Sequence, residues 1–82
     1  MSATRDKKAK RNLAANLKRL LEARDLNQSD LARLTQEPAM TISRAVRGEN
    51  MPRASVLALI AEALDVSIDR LLAPPKVSRF SR

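Results

Sequence analysis

The chain has 82 residues, 44% of them hydrophobic, which allows one small core and argues against a second domain. It lacks cysteine and histidine. That excludes disulfides, thiolate metal sites, thiol nucleophiles and the commonest general base, so neither an enzyme nor a cofactor or metal site is expected. The net charge is +7, and the excess lies at the ends: +4 over residues 1–11, +3 over residues 74–82, and balance between.

Residues 1–9 lack apolar periodicity and read as a flexible basic arm, with Arg5, Lys7 and Lys8 leading into Lys10 and Arg11. A first helix is predicted from about Lys10 to Arg24, where Leu13, Leu17, Leu20 and Leu21 recur at helical spacing. Leu26 should tuck into the core. Asn27 is a good N-cap, and Asp30 can answer it in a capping box. The second helix would run from Gln28 to Thr35, burying Leu31 and Leu34. The third would run from about Pro38 to Arg47, ended by Gly48, the only glycine, in a left-handed position. Pro52 suits the approach to a fourth helix, with Val56, Leu57, Ile60, Ala61 and Leu64 inward. Ser67 caps a short fifth helix carrying Ile68, Leu71 and Leu72, and Pro74-Pro75 stops it. No segment alternates like a strand. The organisation read from this is a basic arm (1–9), an all-α five-helix domain (10–73) and a basic tail or linker (74–82).

The second and third helices, joined by a tight turn, have the layout of a helix-turn-helix. At 100° per residue, Ile42 and Val46 face the core, while Met40, Arg44 and Arg47 lie opposite. Basic ends on a neutral body suit a polyanion, nucleic acid first and an anionic membrane second. Charged termini that only aid solubility are the plainer alternative. No apolar run is long enough to span a membrane, and no signal-peptide pattern is present. The lack of cysteine fits a reducing cytoplasm.

Leu26-Asn27-Gln28, Leu31-Ala32, Ile42-Ser43, Gly48, Pro52, Ile60-Ala61, Leu64 and Val66-Ser67-Ile68-Asp69 with Leu71-Leu72 stand in an order that resembles the phage repressor and Cro-like helix-turn-helix family. The resemblance covers about residues 12–73. It implies a compact, lambda-repressor-like domain that binds double-stranded operator DNA, usually as a homodimer on a pseudo-palindromic site. Ala39, Met40 and Arg44 occupy the family's base-reading positions. Gln28 matches a glutamine that reaches the DNA backbone, and Arg47 and Asn50 sit where backbone contacts follow.

Arg44 can donate two hydrogen bonds to guanine O6 and N7; a phosphate clamp or a solvated charge is its alternative role. Met40 offers apolar contact to a thymine methyl, or partial burial. Ala39 cannot read hydrogen-bond patterns, so part of any specificity would come from DNA shape. Thr41, Ser43 and Arg53 join Gln28, Arg47 and Asn50 as backbone contacts. Arg5, Lys7, Lys8, Lys10 and Arg11 would lie along or within a minor groove.

The turn departs from the family pattern. Gln36 stands where glycine's freedom at φ > 0 is usual, Glu37 replaces a residue that is often half-buried, and Pro38 replaces a side-chain cap and fits an N1 position. A homodimer that forms weakly in isolation, or only on DNA, is expected, since little apolar surface should be exposed. The alternative function is an antitoxin-like module of the same fold that binds a protein toxin, with Phe80 as docking segment. The chain also reads as a domain from a longer regulator whose C-terminal domain would be the protein partner.

Overall fold

The computed structural model describes residues 2–75, with side chains from Asp6 onward. The helices are α1 (Ser2–Ala23), α2 (Gln28–Thr35), α3 (Ala39–Val46), α4 (Ala54–Leu64) and α5 (Ile68–Leu72), and no strand occurs among the described residues.

Helix α1 starts at Ser2, so the expected flexible arm is corrected: residues 2–9 continue the helix. The leucines from Leu13 to Leu21 are buried and fix a helical nucleus. Extending it backward adds hydrogen bonds without repeating the nucleation cost. Ala9, Lys7, Lys8 and Lys10 favour helix, and no Gly or Pro interrupts them.

Helix α2 begins as expected. The Asn27 side chain accepts from the Asp30 N–H at 2.8 Å, and the Asn27 N–H donates to the Asp30 carboxylate at 2.9 Å. Leu31 is wholly buried, but Leu34 is 56% exposed, against expectation. The buried stripe of α2 is Leu31, Ala32 and Thr35. The Thr35 hydroxyl earns its burial by donating to the Leu31 carbonyl at 2.8 Å.

Four helix ends share one closure. Asp25, Gln36, Gly48 and Asp65 have φ of +57°, +57°, +77° and +59°. The N–H that follows each reaches back five residues: Leu26 to Leu21, Glu37 to Ala32, Glu49 to Arg44 and Val66 to Ala61. This Schellman closure satisfies carbonyls the helix leaves open. Only Gly48 adopts it without steric cost. Pro38 is the N-cap of α3 rather than its first helical residue, and no side chain caps that helix.

The core joins Leu13, Leu17 and Leu21 of α1 to Leu31, Ile42, Ala45, Val46, Leu57, Ile60, Leu64 and Leu71. Leu26 packs against it half-buried. The five-residue α5 is too short to stand alone. Its C-terminal carbonyls are met from α1: the Asn16 side-chain amide donates to the carbonyls of Leu71 at 2.7 Å, Ala73 at 2.8 Å and Arg70 at 3.2 Å. Asn12 donates to the Leu72 carbonyl at 3.1 Å.

Candidate nucleic-acid interface

Helix α3 is held from behind by Ile42, Ala45 and Val46, which are buried. That fixes its opposite face outward. Ala39, Met40 and Arg44 are exposed there, Met40 by 55%. Beside them, the chain between α3 and α4 folds back. Met40, Thr41, Arg44, Asn50 and Arg53 line one groove, and Glu37 lines it with them. Five residues expected to touch DNA are therefore together. Arg44 makes no side-chain hydrogen bond among the described residues, so its five N–H donors remain available to a ligand.

Arg47 lies at the other end of α3 and is engaged. Its guanidinium donates to the Glu49 carboxylate at 2.8 Å and to the Ser43 hydroxyl at 2.9 Å. Hydrogen bonding to Arg47 lowers the Glu49 pKa, and the same bond raises that of Arg47. Both side chains are about half exposed. An ion pair in water is worth little, so a phosphate can replace Glu49 as partner. Ser43 faces Arg47, away from the groove that contains Thr41.

Gln28 is exposed at the start of α2, in a separate cleft with Lys18, Glu22, Asn27 and Ser29. Lys7, Lys10 and Arg11 line a third cleft, with Lys18 and Arg47. They sit on helix α1 rather than on a flexible arm. Lys8 is exposed but does not line that cleft. The side chain of Arg5, the basic residues Lys76, Arg79 and Arg82, and Phe80 lie outside the described residues.

Two features of these clefts are absent from the sequence reading. Lys18 belongs to both clefts beside α1. Its position was legible, since residues 7, 11, 14 and 18 share one helical line. The Arg47–Glu49 pair was not, because it depends on how the chain turns at Gly48.

Among the described residues no helix is long and apolar enough to cross a membrane, and no acidic cluster could hold a metal ion. A two-helix unit with a rigid exposed second helix, arginines at its surface and polar residues beside it defines a helix-turn-helix DNA-binding domain. The comparisons with known proteins agree. The HTH_3 helix-turn-helix family model matches residues 17–71, and the chain belongs to that family, the Cro/C1-type helix-turn-helix proteins. Among solved structures it is similar to a hypothetical transcription factor, NHTF, from Neisseria, with 27% identity and a TM-score of 0.77 over 82% of this chain and 77% of that one. It is also similar to an HTH_3 family transcriptional regulator from Vibrio cholerae, with 30% identity and a TM-score of 0.73 over 80% of this chain and 37% of that one. No curated protein matches. The chain is a DNA-binding transcription regulator rather than an enzyme.

Proposed function

We propose that the chain is a sequence-specific repressor that places α3 in the major groove of double-stranded DNA. The observation that carries this reading is the exposed Arg44, aligned with Met40 and Ala39 on a face whose reverse side is locked into the core. Arg44 donates to guanine O6 and N7, Met40 packs on a thymine methyl, and Ala39 allows close approach. Gln28, Thr41, Ser43, Arg47, Asn50 and Arg53 hold the phosphates and fix the register. Arg5, Lys7, Lys8, Lys10 and Arg11 add sequence-independent attraction. Two copies would bind a pseudo-palindromic operator, with half-site centres about 34–36 Å apart. The bacterial or phage-infected cytoplasm, where the nucleoid is accessible, is the compartment that suits this role.

Selection of bound duplexes from a random pool tests the reading. A two-fold symmetric consensus is expected, and Arg44→Ala should relax one base position in each half-site. An unchanged consensus would remove Arg44 as a base reader, and an asymmetric site bound by one copy would remove the dimer.

A further inference from the structure

Lys7, Lys10 and Arg11 precede the residues matched to the family, and the base-reading face does not use them. With Lys18 they fall within roughly 100° of one another around α1. Ala14, Ala15, Gly48 and Arg47 line the same cleft. The lining thus holds five cations, of which Arg47 is already paired with Glu49. Gly48 brings the end of α3 against α1: a Cβ added there would lie 3.6 Å from the Ala14 Cβ and 3.7 Å from the Lys10 carbonyl oxygen. Lys18 also borders the cleft of Gln28, so the two clefts adjoin at that side chain.

Like charges three and four residues apart on a helix repel one another. A row of anions relieves that repulsion. Lys7 to Lys18 spans roughly 16 Å of helix axis, enough to meet several successive phosphates of a DNA backbone. A membrane surface fits less well. The apolar face that a surface helix would sink into lipid is, in α1, occupied by Leu13, Leu17, Leu20 and Leu21, all buried in the core.

We propose that this cleft is a phosphate track for DNA that flanks the base-read sequence, on the side where α3 ends. It rests on the DNA reading above. The helical extension holds its cations in fixed register with α3, so the flank is gripped on one side of each half-site and without regard to sequence.

The test uses the full chain and its selected duplex, either trimmed to the consensus or extended by ten base pairs on one side or the other. For the wild type, one extension should raise affinity about tenfold at low salt, and the other should add little. Combining Lys7→Gln, Lys10→Gln, Arg11→Gln and Lys18→Gln should abolish that gain and leave the consensus unchanged. It should also flatten the slope of log K against log salt by about 2–4. These side chains are not core residues, and an unchanged circular-dichroism melt confirms that the variant folds. Lys10→Gln with Arg11→Gln alone should lose about half of the slope change. A flank gain that survives neutralisation overturns the track alone. A protein that selects no consensus refutes the DNA reading and the track with it. Wild-type binding to phosphatidylserine vesicles that the four substitutions abolish, with no flank effect on DNA, overturns the track in favour of a membrane.

Discussion

Asn16→Ala tests the link between the first and last helices. The Asn16 side chain, on a residue only 9% exposed, supplies the donor for the carbonyls of Leu71, Ala73 and Arg70. The Leu71 bond is buried, and the other two are partly buried. An unmet buried acceptor costs about 1–3 kcal/mol, and water recovers part of the loss at the other two, giving about 2–4 kcal/mol in all. A chain of this length has roughly 4–12 kcal/mol to lose. Urea unfolding followed by circular dichroism reads the change. With a slope near 1 kcal/mol/M, the midpoint should fall by about 2–4 M. Asn16→Asp separates hydrogen bonding from packing. At pH 7 the aspartate carboxylate accepts but cannot donate to the Leu71 carbonyl, so Asn16→Asp should be destabilised although it keeps the side-chain volume. An Asn16→Ala change under about 0.5 kcal/mol, or an Asn16→Asp variant as stable as wild type, refutes the account.

Leu31→Ala should cost about 2–5 kcal/mol through lost burial and a cavity, whereas Leu34→Ala, at a 56% exposed position, should cost under about 1 kcal/mol by the same urea assay. Gln36→Gly should raise stability by about 0.5–1 kcal/mol, because φ of +57° strains a residue with a Cβ; a thermal melt that falls would show a well-fitted turn. Acid melts should expose the capping box. The Asn27 N–H first, then Arg33, lowers the Asp30 pKa below 3.8. Its contribution is therefore present above the unfolded value and lost as pH falls through the folded one, and Asp30→Asn should remove that part of the acid sensitivity. Glu49→Gln should strengthen binding to random DNA by releasing Arg47, and a filter-binding curve identical to wild type would mean the pair does not compete with phosphate.

What the sequence disclosed was mostly local. Asn27 and Asp30 are three residues apart, and their reciprocal bonds follow from residue type and spacing. The positive φ at Gln36 and Gly48 was legible from where each helix pattern stops. The inward residues of α4 repeat over three turns, enough to define a face. Leu34 was misjudged because two turns of α2 contain too few apolar positions to do so. The start of α1 was misjudged because a charge run looks the same in a helix as in a flexible arm. Helix length there is set by the packed leucines downstream, not by the charges themselves. Pro38 fits either of two adjacent helix-start positions on composition alone, and the path of the turn decides between them. The Asn16 bonds link residues 54 to 57 positions apart, and no local pattern encodes such partners.

Those bonds bear on how the domain is made as well as on how it is held. During synthesis the N-terminal end emerges first, and α1 through α4 are complete before α5 exists. Closing a loop of this length is an entropic cost that local contacts do not offset until the far end arrives. A nascent chain that stops short of Ala73 therefore carries the whole of α3 on a scaffold whose first and last turns are not yet joined. Competence to hold DNA should appear abruptly, with the final helix, rather than grow as each element is added.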